Sequence, residues 1–216
     1  MGKNNLIFGI HPLIEALEAG REIDKILLKR GLRSSEVSHI MDVAKERMIP
    51  VQIVPEERLT RLTRKQHQGV IAFISEIEYT QLDQLIPMLY EEGRSPFVVL
   101  LDGLTDVRNF GAIARTAECA GVDAIIIPER GSVSVTADAV KTSAGALHRI
   151  PVCRVSSIQA AVTLLQENGI QIVAASEKAV DIYTESELSL PLGLVLGAED
   201  HGVSQDVLRR ADKIVR

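Results

Sequence analysis

Short apolar runs and longer mixed segments alternate along the whole chain, and the two kinds of segment have different periods. "LIFGI" (6–10), "IDKILL" (23–28), "VQIV" (51–54) and "GVIAFI" (69–74) are rich in Ile and Val and have the length of strands. "HPLIEALEAG" (11–20) and "SSEVSHIMDVAKERM" (34–48) repeat apolar residues at three- and four-residue spacing, the helical period. Pro12 and Gly20 bound the first helix and a serine caps the second. A short helix, "EERLTRL" (56–62), fits between the third and fourth strands. Residues 1–75 are therefore expected to form a small α/β unit.

Residues 76–95 hold one amphipathic helix, "LDQLIPMLYEEG", followed by "RSP", and are expected as a connector between domains. From residue 96 the strands become continuously apolar: "FVVLL" (97–101), "VDAIIIP" (122–128), "VCRV" (152–155), "IQIVAAS" (170–176) and "GLVLG" (193–197). Helical stretches such as "SIQAAVTLLQENG" separate them. Strands buried on both faces and spaced by helices predict a parallel sheet covered on both sides. In such sheets ligands bind beyond the carboxyl ends of the strands. There is no internal repeat and no low-complexity segment.

Composition narrows the class. With 46% hydrophobic residues the chain can bury a core, and it has no run of 18 apolar residues that would span a membrane. In "MGKNNLIFGIHPLIEAL" a lone lysine precedes a segment interrupted by Pro12 and Glu15, unlike a signal peptide. Asn5 and Leu6 occupy the place where a myristoylation signal has Ser or Thr. Cys119 and Cys153 are far apart with no second thiol near either, so a reduced, cytoplasmic compartment is expected. Cys119, on an alanine-rich helix, reads as a small core residue. The net charge of −5 is uneven. Residues 1–75 carry 12 basic and 9 acidic side chains, a balance of +3, and residues 76–216 carry 12 and 20, a balance of −8. If phosphates are bound, the N-terminal part is the place for them, and solvated faces are the plainer alternative.

Three stretches lie just past strand ends. In "DVRNFGAIARTAECAG" (106–121), Asn109 is expected as the helix N-cap. Phe110, Ile113, Ala114, Ala117 and Ala120 form the apolar stripe, and Gly121 closes the helix. Arg115 lies off that stripe, where an arginine is usually solvated. In "VAASEK" (173–178) small residues suit either a planar ligand against the backbone or a tight turn. "GLVLGAEDHGVS" (193–204) has the glycine spacing of a phosphate-binding P-loop, but Val203 stands where the lysine belongs and Glu199 and Asp200 sit inside. Glu199 either orders this loop or faces a cationic partner. His11, His67, His148 and His201 show no metal-ligand spacing between them. His148 and His201 read as loop or surface residues, and no metal is expected.

Taken together, these stretches resemble a known family. "NFGAIAR" resembles the Asn-x-Gly-x-x-x-Arg motif of the SpoU/TrmH (SPOUT) RNA 2′-O-ribose methyltransferases. "LVLGAEDHGVS" is similar to their strand-Gly-x-Glu-x-x-Gly motif, and "KTSAGALHRIPV" (141–152) to the segment between. "IFGIHPLIEAL" and "HQGVIAFI" resemble the small ribosomal-protein-like RNA-binding domain of members that methylate a guanosine in large-subunit ribosomal RNA. The resemblance covers nearly the whole chain. It implies a SPOUT-type (α/β-knot) methyltransferase domain over 96–216, preceded by an RNA-binding domain over 1–75. It implies S-adenosyl-L-methionine as cofactor, held by Ala175, Ser176, Leu196, Gly197, Ala198 and Gly202, with Gly197 closest. Asn109, Arg115 and Glu199 would carry the chemistry, and His11, Arg30, Arg33, Arg64, Lys65, His67 and Lys141 would face RNA.

A ribose hydroxyl is a weak acid and a sulfonium methyl a strong electrophile, so the protein's main task is alignment plus help with one proton. Arginine does not readily lose a proton. Arg115 is better suited to polarising the hydroxyl and gripping a phosphate, with Glu199 orienting Asn109 or Arg115. The family's third motif, Pro-Met and then Ser-Leu-Asn in a final helix, completes the pocket, the trefoil knot and the homodimer interface. The sequence reaches "RADKIVR" (210–216) where that motif would begin, so an incomplete knot and little or no activity are expected. The alternatives are a transfer-RNA methyltransferase, a non-catalytic RNA-binding protein and an unrelated nucleotide-binding α/β protein.

Overall fold

Alternation within single strands decides how the N-terminal part is layered. In the computed structural model, which describes residues 6–216, this part forms one unit that ends at Glu78, and Tyr79–Arg216 forms a second. Met1–Asn5, on which part of the reading against a leader rests, lie outside the described residues.

The first unit runs β1 (Leu6–Phe8), α1 (Ile10–Glu18), β2 (Ile23–Lys29), α2 (Ser35–Glu46), β3 (Val51–Val54), α3 (Glu56–Leu62) and β4 (Val70–Ile74). The sheet order is β1-β4-β2-β3, with β2 and β3 parallel and the other pairs antiparallel. Ile26 and Leu28 of β2 pack with Leu13 and Leu17 of α1 and Ile40 and Ala44 of α2. The intervening Leu27 packs with Leu59 of α3 on the other side, as the two-residue period requires. Ser34 caps α2 by accepting from the Val37 amide at 3.2 Å.

The second unit runs β5 (Tyr79–Thr80), α4 (Leu82–Glu91), β6 (Phe97–Asp102), α5 (Val107–Cys119), β7 (Ala124–Pro128), α6 (Ala137–Thr142), β8 (Val152–Val155), α7 (Ile158–Glu167), β9 (Gln171–Ala175), β10 (Leu192–Gly197), α8 (Gln205–Leu208) and β11 (Lys213–Val215). The expected parallel sheet is present: seven strands in the order β11-β9-β10-β6-β7-β8-β5, every pair parallel. Leu82, Leu85, Ile86 and Leu89 of α4 share a core with α7 and with Val98, Leu100, Ile126 and Ile172 of the sheet.

Two expectations change here, and one strand is added. Residues 76–95 are not a free connector, because β5 extends the sheet edge and α4 buries four side chains in its core. An amphipathic helix between two units reads from sequence as a spacer, and only the partner core reveals its allegiance. The strand β11, too short to stand out by period, pairs with β9. Cys119 is exposed rather than part of the core, since its position falls on the solvent side of α5, as does Ala120.

The chain steps outward from β6 through β7 to β8, then crosses back to β9 and β10. The order therefore reverses between β6 and β10, and a crevice forms outside the carboxyl ends at such a reversal. Gly197 at the end of β10 lies level with Asp102 at the end of β6.

Candidate functional site

Two backbone segments leave the sheet at this reversal, one after β6 and one after β10. The first becomes α5. Asp106 caps it, accepting from the Arg108 and Asn109 amides at 2.8 Å each, which satisfies donors that a first turn leaves open. Asn109 is thus the third helical residue and not the cap, a correction with a consequence. Its side-chain amide is free to reach outward, and Asn109 Nδ2 donates to Glu199 Oε2 at 3.3 Å across 90 residues of chain.

Gly111, two residues on, lies against α6. A Cβ there would stand 2.7 Å from Thr142 Cβ and 2.9 Å from the Ala139 carbonyl oxygen, so only glycine lets the helices approach this closely. Ser143 just beyond α6 is fully buried and satisfied, donating to the Val140 carbonyl at 2.8 Å and accepting from the Leu147 amide at 3.3 Å.

The second segment closes into a five-residue turn. The Gly202 amide donates to the Ala198 carbonyl at 2.8 Å, with Gly202 at φ +68°. The space a side chain would need at Gly197 is filled by the Gly202 and Val203 backbone. Glycine at 197 is therefore demanded by the turn itself. The turn's far end is anchored where the Ser204 amide donates to Asp102 Oδ2 at 2.8 Å. Glu199, Asp200 and His201 form its exposed tip.

Ala175, Ser176, Leu196 and Ala198 are half-buried at the ends of the neighbouring strands β9 and β10, and the Ser176 amide donates to the Val215 carbonyl at 2.8 Å. This rim offers small side chains, backbone groups and the carboxylates of Asp102, Glu199 and Asp200. Its chemistry suits an uncharged ring and a cationic sulfonium better than a polyphosphate. Arg115 sits six residues past Asn109, about 9 Å along the helix. It is exposed and makes no hydrogen bond or ion pair among the described residues. The structure thus joins Asn109 to Glu199 and joins Arg115 to neither.

In the first unit, six of the seven RNA-facing candidates gather at one rim of the sheet. The Lys29 amide donates to the Gly69 carbonyl, the Arg30 amide to Val54 and the Gly9 amide to Val70, bringing the ends of β1, β2 and β3 beside the start of β4. His11, Arg30, Arg33, Arg64 and Lys65 are exposed there, and Lys65 Nζ lies 4.9 Å from the Phe8 ring centre. His67 is half-buried and committed to its own loop, its Nδ1 accepting from the Gly69 amide at 3.0 Å. Lys29 is occupied by Glu56 at 2.6 Å, whose carboxyl it holds below the usual range by hydrogen bond and charge. Lys141 belongs to the second unit, exposed on α6.

Sequence reading missed Asp102, Gly103, Asp106 and the seat that Gly103 offers His201. Asp106 left a signal, standing three residues ahead of Asn109 where a cap belongs. The others left none, since a strand-end Asp-Gly reads as an ordinary turn. Among the described residues no cluster of His, Cys, Asp or Glu could hold a metal, and no helix is long and apolar enough to cross a membrane.

Residues 96–216 match the model of the SpoU rRNA methylase family, and residues 6–80 match that of the RNA 2′-O-ribose methyltransferase substrate-binding domain. The chain belongs to the SpoU/TrmH family of RNA 2′-O-ribose methyltransferases. It is 36% identical over 211 residues to a TrmH family tRNA/rRNA methyltransferase of Staphylococcus haemolyticus, covering 98% of this chain and 85% of that protein. A Staphylococcus saprophyticus relative of the same description is 36% identical over 207 residues, covering 96% and 83%. Among solved structures, an S-adenosylmethionine-bound rRNA methyltransferase of Sinorhizobium meliloti superposes with a TM-score of 0.57 at 25% identity, covering 98% of this chain and 77% of that one. Within the SpoU/TrmH frame, the matched substrate-binding segment contains the basic rim, and the matched methylase segment contains the Asn109–Glu199 contact.

Proposed function

We propose that the chain methylates the ribose 2′-hydroxyl of a guanosine in large-subunit ribosomal RNA, using S-adenosylmethionine, the expected cofactor. The observation that carries the reading is the 3.3 Å contact of Asn109 with Glu199, which draws the first turn of α5 to the β10 turn at the switch point. S-adenosylmethionine, when bound, supplies an electrophilic methyl group on a sulfonium centre. Ala175, Ser176, Leu196, Gly197, Ala198 and Gly202 would hold it through small side chains and backbone groups. Glu199 fixes the Asn109 amide, and Asn109 orients the acceptor ribose. Arg115, unpaired and cationic, grips the phosphate beside the ribose and polarises the hydroxyl, whose proton passes to a phosphate oxygen. Alignment of this kind is the larger part of such catalysis.

The basic rim of the first unit supports an RNA-docking role there, and the relative from Sinorhizobium meliloti is described as an rRNA methyltransferase. In this reading the enzyme is a cytoplasmic homodimer, and its two cysteines are unpaired. The test is methyl transfer to ribosomal and to transfer RNA, with cofactor affinity measured by calorimetry. Ribosomal RNA is expected as the better acceptor, and Asn109→Ala and Glu199→Ala are each expected to lower the rate about 100-fold. Transfer at an unaltered rate in both variants overturns the residue assignment, and preference for transfer RNA overturns the substrate. RNA binding without cofactor binding leaves a non-catalytic RNA-binding protein.

A further inference from the structure

The tip of the β10 turn carries three polar residues, and the proposed chemistry uses only Glu199. His201 is placed by two independent features. A Cβ built on Gly103 would stand 2.9 Å from His201 Nε2 and 3.9 Å from Ala198 Cβ. The bare Cα of Gly103 is therefore the seat on which the imidazole lies. At the ring's other nitrogen, Asp200 Oδ1 is 2.5 Å from His201 Nδ1. Gly103 has φ +74°, a conformation that side-chain-bearing residues adopt only with strain, so the seat stays open.

Gly103 also begins the segment that leads to α5. The β10 turn is thus tied at three points to the run from the end of β6 to the first turn of α5: Ser204 to Asp102, His201 to Gly103 and Glu199 to Asn109. The Glu199 contact is long and exposed, and an exposed turn held by such a contact opens at little cost. His201 is the side chain that bridges the turn's tip and the strand end.

We propose that His201 is a positioning residue: seated on Gly103 and held by Asp200, it fixes the 198–202 turn so that Glu199 meets Asn109. The inference rests on the reading of that contact as part of the reaction cleft, and the test separates the two. Amide hydrogen exchange on the full chain reads turn closure directly and needs no turnover. In His201→Ala the Gly202 and Ser204 amides are expected to exchange about tenfold faster, while Val195 within β10 is unchanged. His201→Gln, which keeps a nitrogen able to reach Gly103, restores part of the protection. Methyl transfer in His201→Ala falls about tenfold in kcat with the KM for RNA unchanged. In a Glu199→Ala background the same change has no further effect, because His201 acts through Glu199. Wild-type exchange in His201→Ala, or an additive loss in the Glu199→Ala background, overturns the proposal. Undiminished transfer by Glu199→Ala overturns the cleft reading instead, whatever the exchange shows.

Discussion

The two units present sheet rims of opposite chemical character. The first has a small mixed sheet and a rim of long cationic side chains, most of them without an ion-pair partner among the described residues. The second has a fully parallel sheet and a rim of glycines, alanines and carboxylates, each carboxylate engaged within the protein. Long exposed cations grip a polyanion by charge and tolerate imprecise placement. Backbone and small side chains recognise by shape, which requires that every atom of the turn be fixed. The first rim should therefore be sensitive to charge and salt, and the second to single atoms of volume.

The largest effect expected from this difference is at Gly197. A methyl group there would occupy the space of the Gly202 and Val203 backbone, so Gly197→Ala must displace the turn. Overpacking of this kind costs about 1–3 kcal/mol in stability. The displaced turn is expected to lose cofactor affinity by about 100-fold or more, while RNA affinity stays at the wild-type value. Calorimetry with S-adenosylmethionine and filter binding with RNA read the two separately. Retained cofactor affinity would show that the turn does not form the cofactor seat.

The converse experiment acts on the first rim. Replacing Arg64 and Lys65 together with alanine removes two exposed charges, leaving the sheet and its core untouched. RNA affinity is expected to fall about tenfold at low salt, and the slope of log affinity against log salt to flatten by about 0.7–0.9 for each phosphate no longer neutralised. Cofactor binding should be unchanged. An unaltered salt slope would mean that RNA binds elsewhere.

Sequence period alone reached most of the fold, and the difference between the units explains where it stopped. Strands β6 to β10 are long apolar runs, and their helices carry a clear stripe, so order and type were legible. Residues 79–91 were read as part of a connector, because an amphipathic helix announces that it packs but not against what. At the site, Asn109 and Glu199 were legible as a pair only through the family motifs. No local rule links residues 90 positions apart, and propensity favoured Asn109 as a cap that Asp106 in fact provides. The supporting contacts of Asp102, Gly103 and His201 are three-dimensional coincidences of strand ends, and they became visible only once β6 and β10 were seen to be neighbours.

A further expected difference separates the units by pH. Both cysteines lie in the parallel-sheet unit, and Cys153 of β8 is fully buried. Burial, aided by the charge of Asp83, pushes its thiol up to about 12. An unfolded cysteine ionises near pH ~8.5, so the folded state binds a proton that the unfolded state gives up. The associated stability is fully present below about pH 8.5 and is lost as pH rises towards 12, with a limiting slope of about 1.4 kcal/mol per pH unit. Denaturant melts at about pH 8 and pH 10 are expected to show a loss of about 2 kcal/mol from this group in the second unit. Cys153→Val removes the ionisable group while keeping an apolar side chain of similar size, so the difference between wild type and variant isolates the thiol from lysines and tyrosines titrating in the same range. In the native protein a thiol reagent should modify exposed Cys119 and spare Cys153 until the unit unfolds. Equal alkaline loss in wild type and Cys153→Val would mean that the β8 strand admits water, and that the second sheet is less tightly buried than its continuous apolar strands imply.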